Sequence, residues 1–245
     1  MLSKATIKMI RSLGLRKGRL REGLFVAEGP KTVDLMLESF EPELVIATQD
    51  WDGKAACPVE RVDADKLKSL SFLQHPQQVM AILRLPRQND CPALGKGLSL
   101  ALDGVQDPGN VGTIIRIADW FGISSIFCSQ DTADAFSPKV VQASMGSLAA
   151  VDVIITDLED LIKSAPETKT VYGTFIDGDD IYSQPLENDA LIVFGNEGKG
   201  ISSSVGRLVN HRLLIPSSGH ETLADSLNVA VSAAIVCSEF TRRFR

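Results

Sequence analysis

Short apolar runs, each closed by glycine, proline or a polar cluster, alternate along this chain with amphipathic stretches. The clearest run is Leu191, Ile192, Val193 and Phe194, which stops at Gly195 and opens into GNEGKG. An unbroken run of that kind marks a strand buried on both faces. Three glycines within six residues then let the backbone turn sharply and come close to a ligand. Residues 211–215 repeat the pattern, a short apolar strand followed by Pro216, Ser217, Ser218 and Gly219. Two glycine-bearing loops at strand ends are where an open α/β sheet binds its ligand. A helix follows over about 227–240, with Asp225 or Ser226 as its expected cap. Its small residues Ala230, Ser232, Ala233 and Ala234 make it narrow and bring its neighbours close.

Earlier in the chain, Ser3 is placed to cap a helix reaching Leu13, with Gly14 at its end. LRKGRLREG reads as a basic, glycine-broken loop. Strands are expected at 24–27, 44–47, 59–62 and 79–85, and helices at 31–39 and 64–70, a small α/β unit. The proline-rich polar stretch from Pro86 to Pro92 reads as a linker. The domains expected are 1–86, a linker at 87–97, and 98–245. In the last of these, strands at 98–102, 125–128, 151–155 and 170–175 alternate with helices at 111–121, 138–144 and 157–164. With the two strands described first, that makes a mainly parallel sheet of about six, helices on both faces.

Hydrophobic residues make up 44% and charged residues 23%, the balance of an ordinary globular protein. No apolar run approaches the ~20 residues of a membrane helix, and the first residues lack an apolar signal core. Cys57, Cys91, Cys128 and Cys237 are scattered, which points away from zinc and toward a reducing cytoplasm. The net charge of −6 is unevenly spread. Eight basic residues in 1–31 against Glu22 and Glu28 give +6 there and leave −12 for the rest. Such a segment, with Arg16, Lys17, Arg19 and Arg21 at its centre, is suited to face nucleic-acid phosphates. A solvated helix face is the alternative.

Several familiar sites fail. Lys199 precedes a glycine, not the Ser or Thr of a P-loop, and neither glycine loop is a GxGxxG. There is no GxSxG, and His75, His211 and His220 share no metal-ligand spacing, so no metal is expected. What remains is DGVQDPGNVGTIIRIAD, where Arg116 lies among Ile114, Ile115 and Ile117. Burying a guanidinium there requires a carboxylate or phosphate partner. One alternative is a structural bridge to an acid such as Glu197.

PGNVGTIIRIADWFG, LIVFGNEGKGIS and IPSSGHETLADSLNVAVSAAI, in that order, resemble the three motifs of SpoU/TrmH methyltransferases of the SPOUT superfamily. SPKVVQASMGSL resembles the segment between the first two motifs, and FVAEGPKTVDLML a substrate-binding domain many members carry. The resemblance covers nearly the whole chain. It implies a homodimer that moves a methyl group from S-adenosylmethionine to a ribose 2′-hydroxyl of structured RNA. It also implies a C-terminal trefoil knot and an N-terminal RNA-binding domain.

Carried over by position, the resemblance implies that Gly195, Ile215 and Leu227 meet the cofactor largely through backbone. Asn110 and Arg116 would serve the methyl acceptor, while Glu197, Ser226 and Asn228 shape the cofactor site. An Arg is a poor base at neutral pH, so Arg116 is expected to orient a phosphate and stabilise alkoxide charge. The N-terminal domain shifts the expected substrate toward ribosomal over transfer RNA, by analogy. Two departures stand out. Six residues, HETLAD, separate Gly219 from Ser226 where the family has three, and Gln142 replaces an expected basic residue. A catalytically silent RNA-binding dimer is the competing reading; a nucleotide-phosphate hydrolase is a weaker one.

Overall fold

The computed structural model describes residues 2–86, 94–217 and 225–244. The chain forms two compact units, Met1–Arg87 with Asp134–Ala150, and Gln88–Ala133 with Val151–Arg245. The expected linker lies partly outside the described residues, as does most of HETLAD.

In the first unit α1 (Lys4–Ser12) is capped by Ser3, whose hydroxyl accepts from the Thr6 N–H. The stretch expected as a loop is a helix, α2 (Arg16–Glu22), ended by Gly23 at φ 67°. Gly18 does not break it, because a side chain there would collide with α1: a Cβ would lie 1.9 Å from the Ser12 carbonyl oxygen. The glycine is an approach point between helices rather than a turn. There follow β1 (Leu24–Glu28), α3 (Pro30–Ser39), β2 (Pro42–Ala47), β3 (Val59–Arg61), α4 (Ala64–Leu70) and β4 (Val79–Arg84). The sheet order is β1-β4-β2-β3, antiparallel except for the β2–β3 pair.

Strand β1 is buried on both faces. Leu24 and Val26 join Ile10, Leu13, Leu67 and Leu70 in one core. Phe25, on the opposite face by strand alternation, meets Phe40 and Phe136 edge-on at 5.1 and 5.0 Å. That second cover explains why Asp134–Ala150 packs with the N-terminal half despite its place in the chain.

The second unit contains β5 (Leu98–Asp103), α5 (Pro108–Trp120) and β6 (Ser125–Cys128). After α6 (Pro138–Ser144), in the segment just described, it continues with β7 (Asp152–Ile155), α7 (Leu158–Lys163), β8 (Thr170–Asp180) and β9 (Ala190–Gly195). It closes with α8 (Ser203–Gly206), β10 (His211–Leu214) and α9 (Val229–Arg243). The six strands expected are present, all parallel, in the order β10-β8-β9-β5-β6-β7. Leu191 and Val193 of β9 point into a core with Leu158, Leu161, Ile201 and Val205. The alternate positions face the side where α9 lies, and there Phe240 meets Tyr172 edge-on at 5.1 Å.

Three bounds differ from expectation for local reasons. Helix α5 starts earlier because Asp107 caps it, accepting from the Asn110 N–H, with Pro108 in the first turn. The cap of α9 is Asn228, not Asp225 or Ser226; its side-chain oxygen accepts from the Ala230 and Val231 N–H groups. Strand β8 runs on to Asp180 because it rejoins β10 after an interruption.

Candidate active site

The parallel strands deliver three loops to one edge of the second unit: that after β5, that after β9 and that leading into α9. The β9 loop is held by its own backbone. Asn196 and Gly200 exchange hydrogen bonds of 3.0 and 2.8 Å, so the chain folds flat on itself. A Cβ on Gly195 would lie 2.2 Å from the Gly200 carbonyl carbon, and Gly200 sits at φ +70°. Only glycine is tolerated at the first position without moving the loop.

The side chain of Asn196 ties this loop to the next. Its amide donates to the Gly104 carbonyl at 2.7 Å, and its oxygen accepts from the Gly198 and Lys199 N–H groups at 3.0 Å each. Asp103, at the end of β5, accepts from the Ser202 N–H at 2.7 Å. Neither residue was singled out from the sequence. The signal for both was position: a polar residue at or just past the end of an apolar strand, facing a glycine loop.

Glu197 reaches the other way. Its carboxylate accepts from the Gln106 and Asp107 N–H groups, each at 3.3 Å, and from the Asn110 side-chain amide at 2.9 Å. The Asn110 oxygen in turn accepts from the Asn228 amide at 3.0 Å. Asn110, Glu197 and Asn228 thus form one chain across all three loops. Partial burial opposes the charge on Glu197, but the bonds from Asn110 and the backbone outweigh it and hold its carboxyl below the usual range.

Arg116 is not part of that chain. It is exposed on α5 and, among the described residues, makes no ion pair, while Glu197 is taken by other donors. The expectation of a buried guanidinium, and its alternative of a bridge to Glu197, are both corrected. Six residues of helix set Arg116 about 240° around the axis from Asn110. Of the remaining expected cofactor contacts, Ile215 is half-buried directly after β10, while Ser226 and Leu227 are exposed beside Asn228. Gly195, Ile215 and Leu227 therefore present backbone and apolar surface at one sheet edge.

The basic stretch of the first unit divides. Arg16 and Lys17 are exposed on α2; Arg21 is exposed and pairs with Glu22 at 2.7 Å. Arg19 is 3% exposed, donates to the Leu13 carbonyl at 2.7 Å, and grips Asp134 through both Nε and Nη2. Arg19 is therefore withdrawn from the expected RNA contacts, since its donors are used inside the unit. His211 stacks on Tyr172, His75 lies in the first unit, and His220 is outside the described residues.

A model of the SpoU rRNA methylase family matches residues 97–238, and a model of the MRM3-like substrate binding domain matches 4–81. The chain is 29% identical over 237 residues to the Bacillus subtilis protein named 23S rRNA (guanosine(2553)-2′-O)-methyltransferase RlmP, covering 94% of this chain and 93% of that one. The structure of a TrmH-family protein from Porphyromonas gingivalis superimposes with a TM-score of 0.91 at 43% identity, covering 99% of both chains. An S-adenosylmethionine-bound rRNA methyltransferase from Sinorhizobium meliloti gives 0.85 at 29% identity, covering 100% of this chain and 97% of that one.

Proposed function

Because this chain belongs to the SpoU rRNA methylase family, we propose that it transfers a methyl group from S-adenosylmethionine to a ribose 2′-hydroxyl of ribosomal RNA. The observation that carries the reading is the chain Asn228, Asn110, Glu197, which links the three motif loops through side chains. Residues 98–245, apart from 134–150, which pack with the first unit, then form the methyltransferase domain and 1–86 the RNA-binding domain, joined by 87–97. The match to a substrate-binding domain and the name of the Bacillus relative support ribosomal over transfer RNA.

When bound, the cofactor supplies a methyl group on a good leaving group. The residues of this chain have to align an acceptor oxygen with it. Asn110 is suited to that task because both ends of its amide are assigned. Nδ2 gives one hydrogen to Glu197, and Oδ1 takes one from Asn228. One N–H and one lone pair remain, a donor and an acceptor in fixed directions for a ribose hydroxyl. Glu197, held charged, is a weak proton acceptor; its part is to lock Asn110. Gly195, Ile215 and Leu227 contact the cofactor, with Ser226 beside them.

Arg116, exposed and without an ion pair among the described residues, is free to bind a phosphate of the substrate. Its charge supports developing negative charge on the acceptor oxygen. Arg16, Lys17 and Arg21 contact RNA phosphates in the other domain. A dimer is part of the reading. Helices α5 and α9 pack together, and Trp120 on one and Val231 on the other are 82% and 49% exposed. A second copy would cover them. No described helix is long and apolar enough to cross a membrane, and the cytoplasm is the proposed location.

Calorimetry with S-adenosylmethionine, followed by mapping of 2′-O-methyl sites in RNA from a deletion strain, tests this. Cofactor binding together with one lost methylation in rRNA is expected. Cofactor binding with the loss in a transfer RNA would reassign the substrate; RNA binding without cofactor binding would leave a silent RNA-binding dimer.

A further inference from the structure

Strand β8 is the middle strand of β10-β8-β9, and its pairing with β10 is broken in one place. Gly173 pairs with both Val193 and Arg212, but Leu213 pairs with Asp179. Residues 174–178 therefore leave the ladder for five positions. They leave it at the level where β9 approaches Gly195 and β10 approaches Ile215. The excursion opens beside Val193 on one side and the step from Arg212 to Leu213 on the other, shortly before Gly195 and Ile215, the two residues assigned to the cofactor.

It is held from several directions. The Thr174 hydroxyl donates to the Val193 carbonyl at 3.3 Å. Phe175 folds back toward Gly173, where a Cβ would lie 2.7 Å from its ring, and packs beside Ile201 and Val205. Gly178 returns against the β10 backbone, so closely that a Cβ would lie 2.7 Å from the Leu213 carbonyl carbon. Arg212 joins these anchors. Its guanidinium carbon lies 3.5 Å from the Phe175 ring centroid, and its Nη2 lies 2.5 Å from Asp177 Oδ1. At the apex, Ile176 is left 75% exposed. A sheet that only needed to be stable would run the ladder unbroken, without an excursion that exposes an isoleucine.

We propose that Arg212 is a positioning residue for cofactor binding, latching residues 174–178 through Phe175 and Asp177 as a wall beside Gly195 and Ile215. The proposal rests on the reading that Gly195 and Ile215 hold S-adenosylmethionine. A flat guanidinium over an aromatic face and a carboxylate pair on the same side chain fix two adjacent points of the excursion at once. Lysine keeps the ion pair and loses the flat stack. Asp177→Asn does the reverse.

The test is calorimetry with S-adenosylmethionine on full-length wild type, Arg212→Ala, Arg212→Lys and Asp177→Asn, with thermal unfolding and RNA affinity measured alongside. Arg212→Ala should weaken cofactor binding roughly ten-fold, with RNA affinity unchanged. In turnover the KM for cofactor should rise while kcat at saturating cofactor is retained. Arg212→Lys and Asp177→Asn should each fall between. Arg212→Ala with wild-type cofactor affinity overturns the latch, and so does a drop in melting temperature with cofactor affinity unmoved. If Arg212→Ala fails to fold, the two milder variants decide, and wild-type affinity in both overturns the proposal. Wild type that binds no S-adenosylmethionine overturns the functional reading itself, and the latch with it.

Discussion

The side-chain amide of Asn228 donates to the side-chain oxygen of Asn110 at 3.0 Å, while the Asn228 oxygen accepts from two N–H groups at the start of α9. One side chain thus caps a helix and orients the residue proposed to hold the methyl acceptor. The two roles use different atoms, and substitution separates them. Asn228→Asp keeps the cap oxygen but removes the donor, so methyl transfer should fall at least ten-fold with the melting temperature nearly unchanged. Asn228→Ala removes both and should also cost about 1 kcal/mol of stability. Equal turnover in wild type and Asn228→Asp would leave only the cap.

Arg116 invites the opposite expectation about stability. It is exposed and unpaired among the described residues, so Arg116→Ala should unfold within about 0.5 kcal/mol of wild type. Methyl transfer should be abolished and cofactor affinity should stay within a few-fold. Arg116→Lys distinguishes geometry from basicity. If the planar fork matters, Lys is as poor as Ala at every pH; recovery toward pH ~10 would show that proton removal matters.

Two arginines of α2 should behave differently. Arg16→Ala with Lys17→Ala should weaken RNA binding and flatten its salt dependence, because fewer counterions are released. Arg19→Ala strands Asp134 in a half-closed site, with a cost of about 3 kcal/mol or more to the fold. Denaturant unfolding beside RNA titration over a salt series reads both effects. A stable Arg19→Ala protein with a reduced salt slope would return Arg19 to the RNA-binding set.

Partial burial pushes the Glu197 carboxyl up, but the hydrogen bonds from Asn110 and the backbone together outweigh it and hold the group below its ordinary range. A depressed folded-state pKa gives stability that is present above the unfolded value of ~4.3 and disappears as pH falls through the folded value. Thermal melts of wild type and Glu197→Gln from about pH 7 to 3 should show a wild-type advantage that shrinks at the acid end. An advantage that grows with acid would reverse the sign and the explanation.

Association is testable by sedimentation. A stable dimer is expected at micromolar concentration, and Val231→Glu should shift it toward monomer by placing a charge on the exposed face of α9. Wild type that remains monomeric would remove the second copy from the proposed site.

Much of this architecture was readable from local patterns. A strand covered on both faces must be apolar throughout, which is why Leu191 to Phe194 and the six-strand sheet could be placed without coordinates. Gly195 could be singled out because a loop that folds back onto its own strand leaves no room for a Cβ. Asn110, Glu197 and Asn228 were named only through the resemblance of their motifs to a known family; the hydrogen bonds that join them belong to the tertiary structure. What could not be read was direction. Arg19 and Arg21 stand in the same basic stretch, and only Asp134, 115 residues further along, decides that one of them is buried. Arg116 sits among isoleucines in sequence, yet the helix turns it outward. The break in β8 is invisible locally, because the five residues 174–178 leave the sheet only where β10 has passed beside them. Patterns of burial are set by neighbours a few residues away; the pairing of charges and the register of distant strands are set by whatever the fold brings alongside.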